Sequence, residues 1–408
     1  MPATVLVLNA GSSSLKATAF RMPESEPPIK APEPIWRGDA TWGRNGPGAK
    51  VKLWSAKGTS ELDLGECRLE EAVGPLVRSL WTGPVAVLEG RKDLHAVGHR
   101  VVHGGDRFRR TVCITPKVRA ELDELAHFAP KHNRLEAALM QQTEAALGAI
   151  PQYAVFDTAF HETLPPAAFT YGGPYDWLTN GIRRYGFHGS SHRYAARRAA
   201  EMLGLAAEDA NLVTCHLGNG ASLAAIRGGR SVDTTMGFTP LEGLLMGTRC
   251  GSIDPAILLH LQRRQGLSPD ELDKLLNEAS GLKGLSGISS DMRDIGAERR
   301  KGSERAELAF QCFIHQLCRQ IGAMVASVGL PQAIVFTGGI GEHDGDVRAA
   351  ACSRFQFLGV GLDREKNEHA KPDADLSADG ARVRVLVLQA QEDWEIAKEV
   401  RKALPRTG

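Results

Sequence analysis

Three short turns are the segments of this chain best suited to chemistry: Asn9-Ala10-Gly11-Ser12-Ser13-Ser14, His216-Leu217-Gly218-Asn219-Gly220 and Gly338-Gly339-Ile340-Gly341-Glu342-His343. Backbone N–H groups in such turns can converge on a phosphate because no side chain blocks the approach. Any one of them reads as an ordinary hairpin or strand–helix turn. Three, each directly after an apolar strand, point to a polyphosphate ligand. None holds the Gly-x4-Gly-Lys-Ser/Thr of a P-loop or a full Gly-x-Gly-x-x-Gly. Ser13-Ser14-Leu15-Lys16 has the Ser-x-x-Lys of penicillin-binding enzymes, but Ser290-Asp291 runs into Met292 and Lys-Thr-Gly is missing, which excludes that acylation chemistry.

Charged groups in apolar surroundings form a second theme. Arg100 lies in His99-Arg100-Val101-Val102-His103-Gly104-Gly105; arginine is rarely buried unpaired, so it either meets a carboxylate or faces a cleft. Arg249, in Met246-Gly247-Thr248-Arg249-Cys250-Gly251-Ser252, sits among small residues that leave its guanidinium room. Asp157 follows the apolar Val155-Phe156, a position where α/β sheets carry functional carboxylates, with a structural cap or ion pair as the alternative. His188 precedes Gly189-Ser190-Ser191 and a helical run over 192–203. The serine hydroxyls would cap that helix, and its dipole would sit beside an imidazole able to donate to an anion. A satisfied turn histidine is the other reading. The pairs His99/His103 and His188/His192 lack the metalloprotease glutamate, and no zinc site is expected.

These residues need strands to aim them and helices to cover the strands. Residues 4–20 read as strand, tight turn, strand. The proline-rich stretch 23–34 is an irregular excursion, with further strands at 35–42 and 51–54, a helix at 69–81, and buried strands at 85–88 and 96–102. Helices at 116–128 and 134–147 lead into a strand at 153–156. Ser268-Pro269-Asp270-Glu271 is a capping box with proline in the first turn. Asp254-Pro255 opens the preceding helix and Gly266 closes it. A long amphipathic helix spans 303–328 and a terminal one 392–403. Alternating strands and helices give an α/β chain. Ser12-Ser13-Ser14-Leu15-Lys16-Ala17 can be laid on Gly220-Ala221-Ser222-Leu223-Ala224-Ala225, about half the chain away, which points to a duplication with a Gly/Ser turn in each half.

With 408 residues, 42% hydrophobic and 24% charged, the chain can bury a large core and is expected to form two domains. Lys plus Arg number 49 against 48 Asp plus Glu, a net charge of +1, so the basic excess of a nucleic-acid binder is missing. Seven scattered cysteines without Cys-x-x-Cys spacing fit reduced thiols. No basic leader opens the sequence and no stretch approaches the ~20 apolar residues of a membrane span. A soluble, cytoplasmic protein with neither membrane nor nucleic-acid partner is expected.

Together the motifs strongly resemble the acetate kinase family. The resemblance rests on Asn9 to Lys16, His99 to Gly105, Phe156-Asp157-Thr158-Ala159-Phe160-His161, Tyr185-Gly186-Phe187-His188-Gly189, His216 to Gly220, Met236-Gly237-Phe238-Thr239-Pro240-Leu241-Glu242-Gly243 and Gly247 to Pro255, in family order along nearly the whole sequence. It implies an α/β fold of the sugar kinase, heat-shock ATPase and actin type, with two related domains around a central cleft: 1–158 plus 394–408, and 159–393, the second binding nucleotide and forming a homodimer. By similarity, Asn9 and Glu392 hold Mg²⁺, with Mn²⁺ as an alternative. Ser12, Ser14, Lys16 and His216-Leu217-Gly218-Asn219-Gly220 face the phosphates of ATP. Asp291-Met292-Arg293 and Gly339-Ile340-Gly341-Glu342-His343 hold the adenosine end. Arg100, Val102, His132, Phe187 and Pro240 form the acetate pocket, and Asp157, His188, Arg249 and Arg100 are the catalytic set.

Those residue types suit the reaction. A carboxylic acid with a pKa near ~4 is already ionised at neutral pH, so a general base has little to remove. The obstacle is repulsion between two anions, met by alignment and charge neutralisation. Asp157 is therefore expected to orient Arg100 or organise metal-bound water rather than take a proton. Four positions depart from the family pattern: Lys131 before His132, Arg134 for a proline, Gln391 before Glu392, and His343 for an asparagine. They bear on acyl preference and nucleotide affinity, and leave a kinase preferring propionate or another short acid as the alternative. A non-catalytic ATP-gated binding module would have no use for Arg100 and Arg249, and a pyrophosphate user is disfavoured by the open Gly339-Ile340.

Overall fold

The computed structural model describes residues 2–11, 14–42, 49–125 and 130–405, with 130–134 described as backbone only. The chain divides into two compact units, Met1–Ala159 with Gln391–Gly408, and Phe160–Ala390.

The first unit is built on eight strands: β1 (Ala3–Ala10), β2 (Ser14–Met22), β3 (Trp36–Trp42), β4 (Ala49–Ser55), β5 (Gly58–Asp63), β6 (Ala96–Val101), β7 (Val112–Cys113) and β8 (Gln152–Phe156). Their order in the sheet is β5-β4-β3-β2-β1-β6-β8-β7. β1 and β2 form an antiparallel hairpin with Asn9 opposite Lys16. β6 runs parallel to both β1 and β8. Val5, Leu6, Val7 and Leu8 are all buried, as expected of a central strand covered on both faces. One layer joins Leu6, Leu8, Leu15, Trp36, Leu53, Leu76 and Leu139. A second cluster stacks Phe108 on Phe156, ring centroids 5.0 Å apart, with Val101, Leu122 and Met140 around them.

The helix Glu392–Ala403 returns to this unit and packs on β1 and β6. Gly98 permits the approach: a Cβ there would lie 2.7 Å from Val400 Cγ2. Trp394 is fully buried and meets Phe20 at 5.1 Å.

The second unit holds β9 (Asn211–Leu217), β10 (Ala221–Arg227), β11 (Arg230–Thr234), β12 (Ala333–Thr337), β13 (Ala374–Asp375) and β14 (Arg384–Val387), in the order β11-β10-β9-β12-β14-β13. Five strands repeat the first unit's scheme. β3-β2-β1-β6-β8 and β11-β10-β9-β12-β14 each pair as antiparallel, antiparallel, parallel, parallel. The matched segments of the sequence echo open the second strand of the two equivalent hairpins. The helix Gly189–Met202 presents Ala195, Ala196, Ala199 and Ala200 to Leu212, Ile226, Val335 and Leu386. The helix Glu304–Val328 buries Phe310, Phe313, Leu317, Ile321 and Met324, a stripe at helical spacing, over β9 and β10.

Punctuation read from the sequence recurs locally. Ser268 accepts from the Glu271 N–H while Glu271 Oε2 accepts from the Ser268 N–H, and Gly266 ends the preceding helix at φ 68°. Two expectations fail. Residues 85–88 are not a strand: Val85 and Leu88 are buried, but the N–H groups of Val87 and Leu88 both turn back to the Leu80 carbonyl. β5 was not anticipated, because an edge strand reading Gly-Thr-Ser-Glu-Leu-Asp carries little apolar signal. Among the described residues no helix is long and apolar enough to cross a membrane.

Candidate active site

In the first unit the candidate residues converge at the ends of β1, β6 and β8. Arg100, on β6, donates from Nε to both oxygens of Asp157 at 3.1 Å, from Nη2 to Asp157 Oδ2 at 2.6 Å, and from Nη1 to Asn9 Oδ1 at 3.2 Å. Asp157 is nearly inaccessible, and its own N–H donates to the Val101 carbonyl. Burial disfavours the guanidinium charge, but Asp157 and Glu392 outweigh it and raise the Arg100 pKa. The Asn9 amide donates to Asp393 Oδ1 at 3.1 Å and to Glu392 Oε2 at 3.4 Å. Thr18 donates to Asp393 at 2.7 Å. Burial pushes the Asp393 carboxyl up against those two hydrogen bonds. Lys16 stands exposed across the hairpin from Asn9, and Ser14 begins β2.

Two further acids stand here without a signal in the sequence. Asp393 adjoins Glu392 and closes the Asn9 amide. Glu136, buried on the helix Pro130–Leu147, accepts the Val102 N–H at Oε1, 3.1 Å, while Oε2 has no partner among the described residues. Burial, only partly offset by Val102 and Arg100, pushes its carboxyl up to about 8. Charged residues on amphipathic helices are normally solvated, so the sequence held no signal for either. Ser12 and the His132 side chain lie outside the described residues.

In the second unit a different chemistry gathers. His188 caps the helix Gly189–Met202 at φ 55°, ψ 30° and is the only non-glycine with positive φ among the described residues. An imidazole held in the left-handed region costs roughly 1–2 kcal/mol, which the surrounding bonds must overcome. The expected serine cap is not formed: the helix starts at Gly189, no side chain caps it, and Ser191 Oγ is 2.7 Å from His216 Nδ1. His188 Nδ1 is 2.9 Å from Ser222 Oγ, and its ring stacks on His216 at 4.4 Å. His192 bridges Ser222 Oγ through Nε2 at 2.7 Å and Thr214 Oγ1 through Nδ1 at 2.8 Å. Burial lowers the His192 pKa well below its usual range and takes His161 to about 4.

Arg249 is brought to the same place by two loops. The Gly247 N–H donates to the Asn219 carbonyl, and a Cβ on Gly247 would lie 2.0 Å from Asn219 Oδ1. Arg249 Nη1 donates to the Pro240 carbonyl at 3.1 Å. The ideal Cβ position of Gly220 lies 3.4 Å from Arg249 Nη1 and 3.4 Å from His188 Nε2, so both groups share the space over that glycine. Gly218 donates to the Gly220 carbonyl and closes the turn, with Leu217 buried beneath. Phe187 is buried, its carbonyl 3.0 Å from His161 Nε2.

A cavity of about 770 Å³ lies wholly in the second unit, and Met292, Arg293, His343, Asp344, Gln356 and Glu368 are among its lining. Asp291 caps the helix Met292–Arg300 and pairs with Arg293 at 2.6 Å. Gly339, Ile340 and Gly341 form one short helix with Glu342 and His343; space over Gly339 is open. Glu342 turns inward and accepts from the Gly338 and Ala390 N–H groups, bracing that segment.

The Acetokinase family model matches residues 4–398. The acetate kinase of Gloeobacter violaceus is 50% identical over 403 residues, 98% of this chain and 100% of that protein; that of Nostoc punctiforme is 45% identical over 97% and 98%. A crystal structure of Porphyromonas gingivalis acetate kinase superposes with a TM-score of 0.88 at 37% identity, covering 99% of this chain and 100% of that one. A propionate kinase structure from Francisella tularensis gives 0.89 at 32%, covering 98% and 100%. On this full-length likeness, and with the motif residues gathered as described, the chain belongs to the acetokinase family.

Proposed function

We propose that the protein transfers the γ-phosphoryl group of ATP to acetate, reversibly, giving acetyl phosphate and ADP. A carboxylate oxygen forms the new P–O bond as the bond to the β-phosphate oxygen breaks. The observation that carries this reading is the meeting of His188 Nε2 and Arg249 Nη1 over Gly220. An imidazole and a guanidinium beside a small-residue turn make a receptor for a phosphoryl group whose charge spreads over three oxygens.

Arg100 takes the acetate carboxylate in this reading. Its bonds to Asp157 and Asn9 engage three of its five N–H groups, fixing the planar fork while leaving two donors. Asp157 acts by holding that fork. Val102, His132, Phe187 and Pro240 bound the acyl group. Ser12, Ser14, Lys16 and the His216–Gly220 turn serve the phosphates. The cavity at Met292, Arg293 and His343 supports adenosine binding there, with Asp291 and Gly339–Glu342 next to these residues along the chain.

The family's Mg²⁺ fits the residues present. Among the described residues no three acid, histidine or cysteine side chains form a metal cage. Asn9 and Glu392 offer hard oxygen donors, and Mg²⁺ is usually held by one or two such groups with phosphates completing its shell. When bound, it would neutralise nucleotide charge.

The helix Ala256–Gln265 buries none of its residues, and Ile257 and Leu259 are 44% and 50% exposed, which supports a second copy covering this face in a homodimer. All seven cysteines are free, in keeping with a reducing cytoplasm.

Hydroxylamine trapping of the acyl phosphate, with ATP and acetate, propionate or butyrate in turn, tests the assignment. Acetate should give the highest kcat/KM. A preference for propionate would move the assignment within the family, and no trapped product from any acid would end it.

A further inference from the structure

The hydroxyls and imidazoles behind His188 form a chain in which each hydrogen can be assigned by counting. Thr214 Oγ1 is placed to donate to the Ala224 carbonyl at 3.4 Å, and it lies 2.8 Å from His192 Nδ1. With its hydrogen on the Ala224 carbonyl, Thr214 accepts from His192, which then carries its proton on Nδ1. His192 is fully buried and neutral, so its Nε2 is bare and takes the Ser222 hydrogen at 2.7 Å. Ser222 Oγ then has only lone pairs for His188 Nδ1 at 2.9 Å, and that nitrogen must donate.

We propose that Thr214, acting through His192 and Ser222, locks His188 as the Nδ1–H tautomer, so that Nε2 over Gly220 donates to a phosphoryl oxygen only when the ring is an imidazolium. Thr214, His192 and Ser222 are thus positioning residues. This inference rests on the phosphoryl-transfer reading above and adds the charge state in which His188 works. Among the groups facing the ring are Arg249 across Gly220, His216 stacked upon it, and His192 behind Ser222; His161 lies edge-on to His192 at 5.7 Å. An anionic phosphoryl group between His188 and Arg249 offsets the repulsion of two neighbouring cations.

The test is ¹⁵N-histidine NMR of the full chain, read alongside kcat against pH for acetyl phosphate formation. In the wild type, neutral His188 should show the Nδ1–H pattern. Turnover should fall about tenfold per pH unit once the ring loses its charge. Thr214→Val removes the acceptor for His192 Nδ1. His192 should then move its proton to Nε2, Ser222 should turn its hydrogen to His188 Nδ1, and neutral His188 should carry hydrogen on Nε2. The alkaline fall then becomes a plateau, and Thr214→Ser should restore both wild-type signatures. An Nε2–H pattern for neutral wild-type His188 would overturn the proposal, as would a Thr214→Val protein matching wild type in both readouts. If Thr214→Val does not fold, the wild-type tautomer alone decides. A chain that makes no acyl phosphate would refute the function while the NMR pattern still judges the lock.

Discussion

The two units carry candidate sites of opposite electrostatic character on the same five-strand plan. In the first, charge positions charge: Arg100 is clamped by Asp157, and Asn9 ties it to Glu392 and Asp393. In the second, imidazoles are positioned by hydroxyls, with the Arg249 guanidinium held beside them. A buried ion pair depends on both partners, because removing one strands the other in a poorly solvated place. A hydroxyl–imidazole chain depends instead on the direction of each hydrogen, and its last ring on its protonation state. A duplicated scaffold can therefore give one half a rigid anion receptor and the other a proton-sensitive one.

The sharpest break in that contrast comes from the two arginines. Arg100→Ala should abolish measurable turnover and destabilise the first unit by ~3–5 kcal/mol, since Asp157 stays buried without its partner. Arg249→Lys should lower kcat roughly 100- to 1000-fold by analogy with loss of a transition-state donor, with an unchanged melting temperature. Equal stability losses in both, seen in thermal melts, would erase the distinction. Next in size is Gly220→Ala. Its Cβ would sit 3.4 Å from both cationic groups, at an ordinary contact distance from each. The fold should survive, while kcat/KM drops roughly 100-fold because the phosphoryl group is displaced. Wild-type kinetics would mean that the space over Gly220 is not where transfer occurs.

The smallest effects are in pH-dependent stability, with opposite signs. Glu136 keeps its proton to about pH 8 in the native state but releases it near 4.5 when unfolded, so its contribution declines as pH rises through that interval. Glu136→Gln should remove the decline. Its melting temperature should exceed wild type at pH 8 and match it at pH 4. His161, neutral when folded down to about 4, protonates near 6.5 when unfolded, so stability falls as pH drops from 6.5 toward 4. His161→Gln should flatten that acid slope, to which His99 in the first unit contributes in the same direction. Melts from pH 4 to 9 check both, and an unaltered slope in either variant would reject its assignment.

What could be read in advance follows from the range of the interactions. The Ser268 box, the Gly266 terminus and the β1–β2 hairpin depend on residues a few positions apart, and all were legible. Residues 85–88 were misread because four apolar residues suit a buried turn as well as a strand. Ser190 and Ser191 resemble a cap because nothing local in the chain signals that Ser191 is drawn to His216. Arg100, Asp157, Asn9 and Glu392 were singled out and do gather, as do His188, Arg249 and the Gly220 turn. Glu136, Asp393, Thr214 and Ser222 were not assigned roles, since their partners lie on other strands and helices.

Glu392 and Asp393 reach Asn9 from the far end of the polypeptide, with the whole of Phe160–Ala390 intervening. On the ribosome, the opening hairpin must therefore wait for an entire neighbouring unit to be synthesised before its acidic partners emerge. Nascent chains halted short of residue 391 should already hold the second unit's imidazole array, yet lack the groups that finish the first.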